Sequence, residues 1–316
     1  MDKGGAGEGA MNDRPFPDIP GAAMDLLLEY LEASKDIPGV FRLIEFWFQV
    51  KGIAPALSSA LDAGCGWGGI KAFFLSLLCP RMRITGTDAD AAAVENCGRV
   101  RGEKGFGRVS FYRSDVSRER PGGAYDLIIL SDVLEHVQED AALVRNLAGC
   151  LNEGGFIYVS VPSIQHAYGY DGLDEEGKKD LWEWTRKMGH VRIGYEPEDL
   201  RKAFDGFEPV TLKKTGTCLS ETAHFFWEKV HLRWNVPEEK IVFARPWLGM
   251  IHRAAERYGG TRVTVDPQPP IIRERIFRNI ICALYAAVDL EEAGYFARSP
   301  LGKTHVVGLF RKRSGG

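Results

Sequence analysis

The segment Ala60-Leu61-Asp62-Ala63-Gly64-Cys65-Gly66-Trp67-Gly68-Gly69 constrains this chain more than any other. A short apolar run enters an aspartate and then glycines at 64, 66, 68 and 69, the pattern of a strand turning sharply into a helix. Glycine permits both the turn and a close backbone approach to a ligand. Gly64, Gly66 and Gly69 also meet the G-x-G-x-x-G spacing of a nucleotide-binding turn, which by itself leaves the ligand's identity open.

From residue 58 onward, strand and helix signals alternate. Strands are expected near 58–62, 82–87, 108–113, 125–130 and 155–161, with helices at about 67–79, 90–101 and 138–151, the last carrying Leu143, Leu147, Cys150 and Leu151 on one face. A short helix over 196–203, a strand over 208–216 and the apolar segment Thr304 to Phe310 follow. This order argues for an α/β fold, a doubly wound, mostly parallel seven-stranded sheet with helices on both faces. Right-handed crossovers then gather the carboxyl ends of the strands, and any ligand, along one edge.

The flanks divide the chain further. Residues 1–22, rich in Gly, Pro and Asp, are expected as a mobile leader. Two amphipathic helices should occupy 23–57: Met24, Leu27, Leu28 and Leu31 share one face, and Val40, Leu43, Ile44 and Trp47 repeat the pattern after Pro38. They are placed to cover the site of the first strand. Residues 163–195 show no clear strand and carry His166, Tyr168, Tyr170, Trp182, Trp184 and His190. A connection this long inside a domain is usually functional or mobile. Helical stripes return with Ala223, Phe226, Trp227, Val230 and Trp234, then Ile276, Ile280, Leu284 and Ala287, so 217–300 reads as a helical insertion before a final strand and basic tail at 301–316.

Composition narrows the class of protein. With 45% hydrophobic and 26% charged residues, 316 residues can bury a sizeable core. A net charge of −3 gives no general polyanion-binding signature, and Arg311-Lys312-Arg313 reads as a solvated tail. Six cysteines without a C-x-x-C pair point to reduced thiols in a cytoplasm. The uncharged run from Asn279 to Val288 is too short to span a bilayer.

Further along, the chemistry-bearing residues recur at strand ends. Strand two closes on Ile84-Thr85-Gly86-Thr87-Asp88, which places an acid where it can accept both hydroxyls of a ribose. Strand three ends at Ser114-Asp115-Val116, where a carboxylate could receive an adenine's exocyclic amine, and strand four leads into Ser131-Asp132-Val133-Leu134-Glu135-His136-Val137. In this order the chain resembles the class I S-adenosylmethionine-dependent methyltransferases, particularly those acting on small molecules, over 58 to about 162 and through Gly189-His190-Val191-Arg192. The resemblance implies a Rossmann-like methyltransferase fold that binds S-adenosyl-L-methionine and yields S-adenosyl-L-homocysteine. It sets Asp62 near the methionine amino group, Gly64, Cys65, Gly66 and Gly68 along the cofactor, and Asp88 with Ala89 at the ribose. Asp115 and Val116 fall at the adenine, and Leu130 and Ser131 at the methionine portion. A hydride-transferring dehydrogenase shares the glycines and the acid after strand two, but accounts for neither Asp62, Asp115 nor the Leu-Glu-His run.

Methyl transfer from a sulfonium is an in-line displacement that rewards alignment in a water-poor pocket. A hydroxyl acceptor also needs a base, and the resemblance brings His136 and His190 to the substrate side. His166, Tyr168 and Tyr170 are the expected substrate contacts. No metal is expected: His224, Glu228 and His231 fall on one helical face, but a solvated polar face opposite the Trp and Phe stripe explains them better. The acceptor is expected to be a small molecule reached by transfer to O, N or C, with no nucleic acid, no transmembrane segment, and peripheral membrane contact and a homodimer left open. Two other readings remain: transfer to a lipid or glycan precursor at a membrane surface, and a cofactor-binding scaffold without turnover.

Overall fold

The computed structural model describes residues 19–34, 36–164, 175–216, 270–292 and 304–313. The stripe from Ala223 to Trp234, the His224, Glu228 and His231 face, and the expected substrate contacts His166, Tyr168 and Tyr170 lie outside them.

Two helices open the fold, α1 (Gly21–Ser34) and α2 (Ile37–Val50). Asp36 caps α2 by accepting from the Gly39 amide at 2.8 Å, and Pro38 occupies the first turn, where its missing N–H is not needed. Order begins earlier than the periodicity from Met24 suggests, since Ile19 is already buried. Then come β1 (Ser59–Ala63), α3 (Ile70–Leu78), β2 (Arg83–Asp88), α4 (Ala91–Lys104), β3 (Val109–Arg113), β4 (Tyr125–Ser131), α5 (Asp140–Ala148) and β5 (Leu151–Pro162). Beyond them lie α6 (Glu175–Lys187), α7 (Pro197–Ala203), β6 (Phe207–Thr215), α8 (Pro270–Glu292) and β7 (His305–Lys312).

The seven strands form one sheet in the order β3-β2-β1-β4-β5-β7-β6, parallel except for β7, which runs antiparallel to both β5 and β6. The doubly wound, mostly parallel architecture expected from the alternating signals is therefore present. The chain turns outward in opposite directions from β1, which makes the carboxyl ends of β1 and β4 the switch point where ligands bind in such sheets. One face packs on α1, α2, α3 and α8 through Leu27, Phe46, Phe73 and Tyr285; the other packs on α5 and α7 through Leu147, Leu200 and Phe204.

Several local expectations are corrected. The helix after the glycine turn begins at Ile70, not 67, because Gly69 takes a left-handed conformation (φ 54°) at its N-cap. The helix expected over 138–151 ends at Ala148; Gly149 and Cys150 leave it, and Leu151 already pairs with Tyr125 as the start of β5. Within 163–195, where no element was evident, α6 forms, and Ser163 bridges Tyr195. Arg311 and Lys312 belong to β7 rather than a solvated tail: Lys312 donates to the Leu151 carbonyl at 3.0 Å and pairs with Glu153 at 3.2 Å.

Candidate functional site

The glycine turn is held by the ends of β1 and β2. The amides of Gly64 and Cys65 both donate to the Thr87 carbonyl at 2.8 and 2.9 Å, and the Gly66 amide donates to Asp88 Oδ2 at 2.9 Å. Gly64 and Gly66 have φ of 81° and 65°, and a Cβ on Gly64 would lie 2.5 Å from Val133 Cγ2, so no side chain fits there. Gly69 has no side-chain cap beside it, which leaves first-turn amides of α3 facing the turn.

Asp62 sits beneath this turn, 2% exposed, with Oδ2 unpartnered. Burial raises its pKa to about 6 against the opposing charge of Lys71 and the Ala72 amide. A buried carboxylate missing a partner gains most from a cationic group brought to it. Asp88 is half-buried, and its other oxygen accepts from the Asp90 amide at 2.9 Å. Asp115 accepts from Ser117 Oγ at 2.5 Å and pairs with Arg118 at 3.2 Å; the Val116 side chain is buried in the core, leaving its backbone for contact. Ala89 accepts from Arg113 Nε at 3.0 Å. Cys65 is no nucleophile candidate, since its hydrogen bond with Cys97 and its burial push the thiol pKa up. Asp62, Gly64, Cys65, Gly66, Gly68, Asp88 and Ala89 thus meet at the ends of β1 and β2, with Leu130 and Ser131 ending the adjacent β4 and Asp115 and Val116 following the adjacent β3.

Past Ser131 the backbone takes an unusual course. Asp132, with φ 55°, is the non-glycine residue with positive φ among the described residues, a strain found where structure over-determines a functional position. Ser131 Oγ donates to Asp132 Oδ2 at 3.1 Å, and His305 of β7 places Nε2 3.7 Å from Oδ1, its Nδ1 being 3.0 Å from Thr304 Oγ1. Although burial acts to raise the Asp132 pKa, His305 together with the charges of Arg42 and Lys71 holds it well below the usual carboxylate range. From α2, Arg42 and Glu45 line a narrow cleft with Pro38, Phe41, Gly216, Thr304 and His305. Glu45 is 1% exposed, and burial lifts its pKa to about 8. Residues of α2 thus lie beside His305 at this edge.

The two expected histidines come together. Their rings lie 4.8 Å apart, edge to face, with His136 exposed and His190 Nδ1 buried without a hydrogen bond. Burial, then the neighbouring His136, lowers the His190 pKa. The Val191 amide donates to the Glu135 carbonyl at 2.8 Å. Arg192 clamps the same segment, reaching Asp140 Oδ2 at 2.7 Å and the Val137 carbonyl at 3.0 Å, and Tyr195 OH donates to the Leu134 carbonyl at 3.0 Å. Glu135, 1% exposed with Oε2 unpartnered, completes the cluster; burial and then Asp132 raise its pKa to about 8. Ligand atoms of Glu135, His136 and His190 lie within 4.8 Å of one another, a donor set that the search for metal-binding patterns along the sequence missed.

Asp132, Glu135, His305, Arg42 and Glu45 are the site residues the motif reading did not assign. Asp132 and Glu135 lay inside a quoted motif and were passed over for His136. His305, Arg42 and Glu45 arrive from the ends of the chain and carry no local signal.

This arrangement, a glycine turn at the switch point of a seven-stranded sheet with β7 antiparallel, is the class I methyltransferase fold. Residues 61–157 match the family model described as a methyltransferase domain. The chain is 30% identical over 141 residues to trans-aconitate 2-methyltransferase of Enterobacter sp. (strain 638), covering 45% of this chain and 50% of that one. It is 27% identical over 164 residues to the ubiquinone biosynthesis O-methyltransferase of Bradyrhizobium sp. (strain ORS 278), covering 52% and 62%. The chain thus spans about half the length of these curated relatives, and only 7% of a polyketide synthase, ThaQ of Burkholderia thailandensis, that it also matches. Among solved structures, coclaurine N-methyltransferase bound to N-methylheliamine and SAH superposes with a TM-score of 0.54 at 15% identity, over 86% of this chain and 72% of that one. The MccD protein gives 0.50 at 12% identity, over 87% and 99%. Residues 61–157 thus match a methyltransferase domain, and the chain has the class I methyltransferase fold. Among the described residues, no helix is long and apolar enough to cross a membrane.

Proposed function

We propose that this protein transfers a methyl group from S-adenosylmethionine to an oxygen of a small-molecule acceptor. The observation that carries the reading is the turn of positive-φ glycines set between the buried, partner-seeking Asp62 carboxylate and Asp88. Asp62 takes the methionine ammonium, Asp88 the ribose hydroxyls, and Asp115 with the Val116 backbone the adenine. Gly64, Cys65, Gly66, Gly68 and Ala89 supply close-approaching backbone, and Leu130 and Ser131 flank the methionine portion. The relatives' names, one of which specifies O-methylation, support an oxygen acceptor.

The acceptor lies beyond the sulfur, between Asp132, Glu135, His136 and His190. His190, kept neutral by burial, receives the acceptor's proton as the methyl carbon bonds to oxygen and the bond to sulfur breaks. Alignment in this covered pocket supplies much of the remaining acceleration. We assign 58–216 to cofactor binding, 301–316 to the final strand and basic tail, and 217–300 to a substrate cap or an interaction surface. The free cysteines support a cytoplasmic site of action.

Methyl-labelled S-adenosylmethionine and a low-molecular-weight cell extract are expected to yield a labelled, water-soluble product and S-adenosylhomocysteine. Label confined to the lipid fraction, with protein retained on liposomes, would favour the membrane-surface alternative. Homocysteine-cofactor binding without turnover on any pool would favour the scaffold.

A further inference from the structure

At the opposite end of the sheet from the glycine turn, the amino ends of β1 to β4 enclose a second concavity of about 460 Å³. It is lined by Ser59, Arg83, Thr85, Arg101, Arg108 and Ser110, with Gly123 to Tyr125 closing one side. Its origin is topological. The crossover from Arg113 to Tyr125 contains no helix, so among the described residues none gives the sheet face over β2 and β3 the cover that α5 and α7 give the rest of that face. Thr85 and Ser110 are register partners on this uncovered face, with Ser110 exposed.

Three arginines from three elements meet here: Arg83 opens β2, Arg101 comes from the last turn of α4, and Arg108 precedes β3. None of the lining residues is acidic. Of the nearby carboxylates, Asp126 lies behind Ser59 and is saturated by hydrogen bonds from Ser58, Ser59 and Asn152, and Glu103 pairs with Arg99 at 2.7 Å. In a chain of net charge −3, three guanidiniums around one concavity without an acid among them is a local excess that ordinary surface balance does not require.

We propose that this concavity binds a small phosphate-bearing ligand, as a second site separate from the methyl-donor groove. Guanidinium forks match phosphate oxygens bidentately, and three of them offset a di- or trianion better than a single carboxylate. The volume is that of a small-ligand pocket, and the net negative chain disfavours a long nucleic-acid backbone. The register pair Thr85 and Ser110 adds neutral hydroxyl donors and acceptors to the lining.

The probe is inorganic pyrophosphate, titrated calorimetrically at fixed ionic strength, with potassium chloride as the blank and a short single-stranded RNA as a second arm. Saturable 1:1 binding of pyrophosphate is expected. Arg83→Gln, Arg101→Gln and Arg108→Gln should each weaken it roughly tenfold, the triple variant should abolish it, and Arg145→Gln on α5 should leave it unchanged. Thermal midpoints of all variants should match the parent. No saturable heat with pyrophosphate, equal binding by the triple variant, or binding of RNA in place of pyrophosphate would overturn the proposal. The proposal stands apart from the methyltransferase reading, because S-adenosylhomocysteine binding by the triple variant is a separate measurement.

Discussion

The glycine turn proposed to hold the methyl donor (the donor side) and the ionisable cluster proposed to face the acceptor (the acceptor side) are built by different means. The donor side is assembled from consecutive strand ends, each contributing its residues within a few positions of a glycine or an aspartate: Asp62 to Gly66, Asp88, Asp115. The acceptor side is assembled from distant pieces, Arg42 and Glu45 from α2, Asp132 to His136 after β4, His190 after α6, and His305 on the antiparallel β7. The donor side is therefore rigid backbone geometry, whereas the acceptor side is a set of ionisable groups, from the buried Glu45 and Glu135 to the exposed His136, several of which shift one another's pKa.

That difference can be broken most severely at Gly64. Gly64→Val forces a β-branched residue to φ 81° with a Cβ 2.5 Å from Val133, and S-adenosylhomocysteine affinity should fall by roughly 100-fold or more, read by calorimetry with circular dichroism as the folding control. Next in size is His190→Ala, for which turnover should drop on the order of 100-fold while cofactor affinity is unchanged. In the parent enzyme, the acid limb of the pH profile should lie below the usual histidine range, because burial lowers the His190 pKa. An acid limb above pH 6.5 would remove His190 as the base.

The electrostatic contrast is sharpened by two smaller effects. Glu45 has a folded pKa raised to about 8, so its contribution to stability is fully present below its unfolded value near 4.5 and is lost as pH rises through 8. Glu45→Gln removes that loss: its thermal midpoint should exceed the parent's at pH 9, by roughly 1–4 kcal/mol of stability, and match it at pH 4. The smallest effect expected is that of EDTA, which should change turnover less than about twofold, since in the proposed reaction a histidine base removes the proton without a metal ion. Loss of turnover that zinc restores would instead make the cluster of Glu135, His136 and His190 a metal centre.

How much of this was legible follows the same division. The mostly parallel sheet and the placing of Asp62, Asp88 and Asp115 at strand ends could be read because strand periodicity, glycine turns and terminal acids are local signals. The end of α5 at Ala148 was missed because Cys150 and Leu151 continue an apolar pattern that helix and strand share at a junction. Helix α6 was missed because its segment is strongly polar on average, which masks the amphipathic pattern it does carry. His305 could not be connected to Asp132 from sequence, since 173 positions separate them and only the insertion of β7 between β5 and β6 brings them together. The raised pKa values of Glu45 and Glu135 likewise come from burial, which no motif records.

The central claim is that Asp62, the glycine turn and Asp88 hold a methyl donor rather than a dinucleotide. Calorimetric titration with S-adenosylhomocysteine tests it directly, run on the parent protein and on Asp88→Ala, with NAD as the competitor ligand. The account predicts a single saturable site for S-adenosylhomocysteine, weakened at least roughly tenfold in Asp88→Ala, and no heat from NAD. Saturable NAD binding with no response to S-adenosylhomocysteine would contradict it.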